Sequence, residues 1–145
     1  MSAMRIFLTG ATGYIGSAVL DALLRGGHDI TALVRDPEKA ERVSHRGVHP
    51  VIGELQKPKS YAQAAESADA IVHTAREHSK NGTAVDRQAI EALLGAAIRR
   101  RSGGKDAVVV YTSGVWVLGD TPQPATEDAP VRPTPLVAWR PEHER

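Results

Sequence analysis

Three glycines, Gly10, Gly13 and Gly16, follow directly on a short apolar run in residues 4–16, MRIFLTGATGYIG. A glycine-rich turn between a strand and a helix can hold a diphosphate. Backbone N–H groups point outward there, and the helix N-terminus adds partial positive charge. In that role Gly10 permits the tight turn, Gly13 leaves room for the diphosphate, and Gly16 lets the helix pack close to the strand. The spacing G-x-x-G-x-x-G is one residue longer than the fingerprint G-x-G-x-x-G, so the flanking strand and helix carry the reading. A glycine-rich surface turn without a ligand is the alternative.

Arg35 stands about twenty residues past the glycines, where an acidic residue would hold the ribose 2′-hydroxyl of NAD. Arginine cannot accept that hydrogen bond, but its planar fork suits a 2′-phosphate. NADP is therefore favoured over NAD as cofactor. Asp36 next door would instead reach the ribose, and Arg35 as a solvated end-of-strand charge is the plain alternative.

The elements that must position these residues alternate. Residues 5–8 read as a buried strand, and a helix starts at Tyr14 with Ile15, Ala18, Val19, Ala22 and Leu23 as its apolar face. Gly26-Gly27 ends that helix. Residues 28–34 form a second strand, and Asp36-Pro37 caps and opens a charged second helix to Arg46. Residues 48–52 form a third strand despite Pro50. A helix over 57–67, a strand over 70–74, a long helix over 83–101 and an apolar strand over 107–112 follow. On the long helix Ala89, Ile90, Leu93, Leu94, Ala97 and Ile98 share one side, and Gly103-Gly104 closes it. The last strand is apolar enough to be covered on both faces. This β-α alternation predicts an α/β fold, a doubly wound parallel sheet of Rossmann type. Residues 1–145 read as one dinucleotide-binding domain, with 120–141, which holds six of the nine prolines, as a long loop.

The octapeptide Thr9-Gly10-Ala11-Thr12-Gly13-Tyr14-Ile15-Gly16 resembles the cofactor loop of the extended short-chain dehydrogenase/reductase family, which includes NAD-dependent epimerases, dehydratases and atypical NAD(P)-binding members. The resemblance implies that Gly10 to Gly16, including Ala11, Thr12, Tyr14 and Ile15, line the cofactor. Gly53-Glu54-Leu55 matches a Gly-Asp-Leu triplet that touches adenine in the family. Asp69-x-x-Val72-His73-x-Ala75 matches a segment running past the riboses, which places Thr74 and Ala75 along the cofactor. His73 is read as a packed, structural histidine.

Tyr111-Thr112-Ser113-Gly114, continuing to Gly119, resembles the stretch whose hydroxyl polarises the substrate carbonyl. Gly114 falls at the hydroxyl position, so Ser113 is the nearest substitute, with Thr112 beside the cofactor. The family's catalytic Tyr-x-x-x-Lys is replaced by Trp139-x-x-x-His143. An indole N–H donates a hydrogen bond but cannot act as the acid, whereas the imidazole of His143 could hold a ribose hydroxyl or pass a proton. Family members continue for roughly another domain, so the resemblance implies a sheet truncated before its last strands and the substrate lobe. The implied activity is hydride transfer on a small carbonyl or sugar-like substrate. A non-catalytic NAD(P) sensor, or a fragment that needs a partner chain, are the alternatives.

Composition removes several other classes. With 145 residues, 41% hydrophobic and 24% charged, the chain fits one globular domain. A net charge of +1 and 4% aromatic residues argue against nucleic acid and acidic membranes as partners. The absence of cysteine removes disulfides, thiolate metal sites and cysteine nucleophiles. No apolar run approaches the roughly 20 residues of a membrane helix. Arg99-Arg100-Arg101 suits a helix C-terminus, and the scattered histidines offer no metal cluster. The expectation is a cytoplasmic chain whose partners are a dinucleotide, a small molecule and, through an unfinished apolar sheet edge, a second copy as a homodimer.

Overall fold

The computed structural model describes residues 2–143. Five strands form one parallel sheet in the order β3-β2-β1-β4-β5. They are β1 (Arg5–Thr9), β2 (Asp29–Val34), β3 (His49–Ile52), β4 (Ala70–His73) and β5 (Val108–Tyr111). The helices are α1 (Tyr14–Arg25), α2 (Pro37–Ser44), α3 (Ala62–Ser67), α4 (Gly82–Ser102) and α5 (Arg140–His143). The chain divides into two compact units, one ending at Val110 and one beginning at Tyr111.

In the first unit β1 is apolar through Ile6, Phe7 and Leu8 because both faces are covered there, as in central parallel strands. Alternation sends Ile6 and Leu8 to one side and Phe7 to the other. The first side packs with Leu20, Ile30, Ala32, Val34, Ala40, Val43 and Val48 under α1 and α2. The second packs with Leu33, Tyr61, Ala65, Ile71 and Leu93 under α3 and α4. Phe7 and Tyr61 stack at 6.1 Å between ring centroids, and burial pushes the Tyr61 phenol up to about 12. Pro50 is tolerated because β3 is an edge strand, paired with β2 on one side only.

Several local expectations are corrected. The buried stripe of α1 is Gly16, Val19, Leu20, Leu23 and Leu24, while Ile15, Ala18 and Ala22 face water. The close approach of Gly16 to the strand rotates the helix away from the face that hydropathy alone suggests. On α4 the buried side runs through Val85, Asp86, Ala89, Leu93, Ala96, Ala97 and Arg100, leaving Leu94 and Ile98 exposed. The helix expected over 57–67 is a 3₁₀ turn, Pro58–Ser60, then α3. The break falls at Tyr61, whose ring is drawn into the core. Strand β5 is not covered on both faces: Val108 and Val110 are 52% and 49% exposed at the sheet's edge.

The N-terminal end of the sheet is tied by charge. Asp69 accepts from the Arg5 backbone N–H at 2.8 Å and pairs with the Arg5 guanidinium at 3.0 Å and with that of Arg100. The Arg5 guanidinium and backbone hold the Asp69 carboxyl below its usual range. Arg100 also donates to the Asp106 and Ser67 carbonyls, so the arginine run at the end of α4 is partly a buried clamp, with Arg99 on Glu66.

In the second unit a 3₁₀ turn over Val115–Leu118 is met again by the chain after the proline-rich excursion. Arg132 N–H donates to the Val117 carbonyl at 2.9 Å and Thr134 N–H to the Trp116 carbonyl at 3.1 Å. The chain between Gly119 and Thr134 is therefore a loop with closed ends, and a 3₁₀ turn at Pro135–Val137 and α5 from Arg140 take up the rest of the segment expected as a loop over 120–141. Gly119 takes φ +70°, and a Cβ there would lie 2.2 Å from the Arg132 carbonyl oxygen.

Candidate functional site

The sheet order has a reversal point. From β1 the chain winds outward through β2 and β3, then returns to lay β4 on the other side of β1. A crevice opens at the carboxyl ends of strands at such a point, and ligands of open α/β sheets bind there. The glycine loop occupies it.

Gly10 takes φ +78°, a conformation that side chains other than glycine rarely adopt. A Cβ on Gly10 would also lie 2.7 Å from both Ala75 N and Thr74 Oγ1. A Cβ on Gly16 would lie 1.9 Å from the Gly10 carbonyl oxygen, so α1 can meet the turn only through glycine. Gly13, the residue before α1, is exposed and meets nothing closer than the Gly10 oxygen at 3.3 Å. Its open side lets a ligand approach the backbone.

The two helix starts that follow β1 and β2 differ. The residue that opens α1 is Gly13, which has no side chain to cap it, and the first-turn N–H groups of a helix lack intrahelical acceptors. At α2 the Asp36 carboxylate accepts from Lys39 N–H at 2.9 Å and pairs with Lys39 Nζ at 2.5 Å. The Lys39 side chain and backbone hold Asp36 below the usual carboxylate range. Asp36 is thus engaged as a cap, whereas Arg35, one residue past β2, is exposed. Tyr14 and Ile15 stand out at the start of α1, 97% and 51% exposed, while Ala11 is buried beneath the loop.

Thr74 and Ala75 lie directly against the glycine turn. The Thr74 hydroxyl donates to the Thr9 carbonyl at 2.7 Å, and Ala75 N–H donates to the Thr9 hydroxyl at 3.3 Å. Thr74 therefore braces the turn. His73, 1% exposed, places Nδ1 2.6 Å from Thr9 Oγ1, with Nε2 3.6 Å from the buried Asp86 carboxylate on α4. Which of the two donates in the Thr9–His73 bond follows from the tautomer of the ring. The structural reading of His73 fits this burial. Thr9 and Asp86 are participants that sequence reasoning missed. Thr9 carried one signal, a polar residue ending an otherwise apolar strand. Asp86 carried none, because nothing local says which side of α4 faces the sheet.

After β3, Gly53 packs against Ser60, where a Cβ would lie 2.3 Å from the hydroxyl. The Glu54 carboxylate pairs with Lys57 at 2.6 Å and accepts from Gln56 at 2.8 Å, and these contacts lower its pKa. Leu55 offers its carbonyl to the Tyr61 hydroxyl at 3.1 Å.

The second unit carries Thr112, Ser113, Trp139 and His143. Trp139 and His143, one turn apart, bring their rings to 4.9 Å. The Arg140 guanidinium lies 4.8 Å from the Trp139 ring centre and donates to the Tyr111 hydroxyl at 3.3 Å. The side of Gly114 that a Cβ would fill is 3.8 Å from that guanidinium. Arg140 and His143 are both buried. Among the described residues no group of histidine and acidic side chains could hold a metal ion, and no helix is long and apolar enough to cross a membrane.

A family profile described as NAD(P)H-binding matches residues 10–135. The chain belongs to that family. Its relatives place it within the short-chain dehydrogenase/reductase and NAD-dependent epimerase/dehydratase superfamily. An uncharacterized protein of Schizosaccharomyces pombe is 33% identical over 137 residues, covering 92% of this chain and 45% of that protein. The sterol-4-alpha-carboxylate 3-dehydrogenase (decarboxylating) of Dictyostelium discoideum is 28% identical over 141 residues, covering 92% and 43%. A short-chain dehydrogenase/reductase superfamily protein of Agrobacterium tumefaciens, solved with bound NAD, matches with a TM-score of 0.74 and 26% identity over 97% of this chain and 43% of that one. The chain thus spans less than half the length of these relatives. The residues at the crevice fit a nicotinamide dinucleotide: Gly10 and Gly16 let the turn, Thr74 and α1 close together, and Gly13 leaves its exposed side open for a diphosphate.

Proposed function

We propose that the chain is the cofactor-holding part of an NAD(P)-dependent oxidoreductase of epimerase/dehydratase type, with NADP as the preferred cofactor. The observation that carries the reading is the uncapped, glycine-lined start of α1 set in the crevice between the ends of β1 and β4. The preference for NADP rests on the contrast at β2: Asp36 is committed to Lys39, and Arg35 is exposed to meet a 2′-phosphate. Ala11, Thr12, Tyr14 and Ile15 line the loop, Glu54 and Leu55 flank the adenine, and Thr74, Ala75 and Thr112 border the riboses.

The nicotinamide ring supplies hydride transfer to or from a small carbonyl or sugar-like substrate. Ser113 polarises the carbonyl, and His143 holds a ribose hydroxyl or moves a proton. Trp139, where the family places its tyrosine, has no titratable proton for that role.

The first experiment is a thermal melt of the chain alone and with excess NADPH or NADH. A ligand that binds only the folded state raises the midpoint by mass action. A cooperative transition raised more by NADPH than by NADH is expected. A transition moved by neither cofactor overturns the reading. Ser113→Ala and His143→Ala then separate enzyme from sensor: turnover falls while the cofactor-induced shift persists if the chain takes part in catalysis.

A further inference from the structure

We propose that Arg140 is the anion-reading residue of the substrate site: the guanidinium edge formed by Nε and Nη2 receives a carboxylate, so the small molecule acted on carries a carboxylate group. That this molecule is the substrate rests on the proposed function, which thereby gains a chemical class.

Arg140 opens α5 and is 7% exposed. A guanidinium stays protonated in a protein, and a buried charge is costly unless a counter-charge and hydrogen bonds compensate it. Arg100 shows what compensation looks like here. It is 9% exposed, pairs with the Asp69 carboxylate and donates to the Asp106 and Ser67 carbonyls. Arg140 has no such set. Among the described residues it pairs with no carboxylate, and its one hydrogen bond runs from Nη1 to the Tyr111 hydroxyl at 3.3 Å.

The remaining donors are specific ones. The five N–H bonds of a guanidinium lie in one plane. Cζ lies 4.8 Å over the centre of the Trp139 ring, so the indole supports the group from one side. Tyr111 takes its donor from Nη1. The edge that joins Nε to Nη2 is left, and such a pair engages both oxygens of a carboxylate in parallel.

Gly114 leaves room beside that edge. A Cβ there would lie 3.8 Å from both Nε and Cζ. The backbone does not require glycine at this position: φ −147° and ψ 143° are extended values that any residue adopts. All of these groups belong to the second unit. Ser113 precedes Gly114, and His143 follows Arg140 by three residues on α5; these are the two residues assigned to the substrate's chemistry. A carboxylate is planar like the fork it meets. A tetrahedral phosphate carries oxygens outside that plane, toward the side that Trp139 occupies.

The test uses the full chain as wild type, Arg140→Lys and Gly114→Val. Arg140→Lys keeps the charge and removes the fork. Gly114→Val keeps the fork and fills the room beside it. Each is melted in oxalate, inorganic phosphate or neutral acetamide at one ionic strength. Oxalate is then titrated while arginine Nε–H resonances are followed by NMR, the Arg140 signal being the one absent from Arg140→Lys. Oxalate is expected to raise the wild-type midpoint and move the Arg140 resonance, and phosphate and acetamide are expected to do neither. Both variants are expected to bind oxalate about tenfold more weakly or worse, the order of one lost bidentate contact. Gly114→Val carries the comparison where Arg140→Lys does not fold.

A folded wild type that oxalate leaves unmoved overturns the proposal, as do folded variants that respond like wild type. Phosphate that matches oxalate overturns the carboxylate assignment. Melts with NADPH and NADH run beside these keep the two readings apart. A cofactor-induced rise without an oxalate response removes the carboxylate site and leaves the proposed function standing. An oxalate response in a chain that binds neither cofactor overturns the proposed function, and Arg140 then reads a carboxylate that is not a substrate's.

Discussion

At the scale of single residues, the glycine loop separates packing from binding. Gly16→Ala would drive a methyl into the Gly10 carbonyl, 1.9 Å away. Backbone cannot yield as a flexible side chain can, and overpacking of this kind costs about 1–3 kcal/mol. The melt should show a lowered midpoint together with loss of any cofactor-induced rise. Gly13→Ala meets only the Gly10 oxygen, at 3.3 Å, and points toward the ligand's path. Its ligand-free midpoint should stay near wild type while titration shows weaker binding. Arg35→Gln belongs to the same scale. It should cut NADPH affinity by about tenfold or more, the scale of a charge-assisted phosphate contact, and leave NADH unchanged; equal losses for both cofactors would remove Arg35 from the 2′-position.

At the scale of elements, carboxylates fasten strands and helices and set the acid limit. Asp36 caps α2 through Lys39, and Asp69 ties β1 to α4 through Arg5 and Arg100. Both carboxyls have folded-state pKa values below the 3.8 of the free side chain. A depressed carboxyl contributes stability that is fully present above its unfolded pKa and is lost as the pH falls through its folded pKa. Stability should therefore hold from neutrality to about pH 5 and decline below about pH 4. Asp69→Asn should lower the neutral midpoint and flatten that acid decline, as followed by melts across pH. The opposite pattern, a steeper acid limb, would show that Asp69 is not the group involved.

At the scale of the whole molecule, apolar surface is left outward on α4 and β5. Leu94 and Ile98 on α4 are 44% and 64% exposed, and Val108 and Val110 of the edge strand are half exposed. Contiguous exposed apolar groups and unpaired strand edges favour association. Size exclusion with light scattering should show mass rising with concentration, and Ile98→Glu should reduce that rise without changing the melt of the dilute chain. Mass that stays monomeric at every concentration would count against a homodimer.

Much of the fold is legible in the sequence because its signals are local. The strand–glycine–helix join at Gly10–Gly16, the Asp36-Pro37 helix start and the alternating elements are short-range patterns. They suffice for a parallel α/β sheet and for a dinucleotide loop, and the family match over 10–135 agrees. Tertiary structure decided what depends on partners distant in sequence. Hydropathy favoured Ile15, Ala18 and Ala22 on α1 and Leu94 and Ile98 on α4, but the contact of Gly16 with the turn and the seating of Asp86 and Arg100 turned both helices to other faces. Thr9 meets His73 across 64 residues, and Asp69 meets Arg5 and Arg100 over 64 and 31. No periodicity encodes such pairs, because they arise only when parallel strands fix their register and bring remote side chains to one end of the sheet.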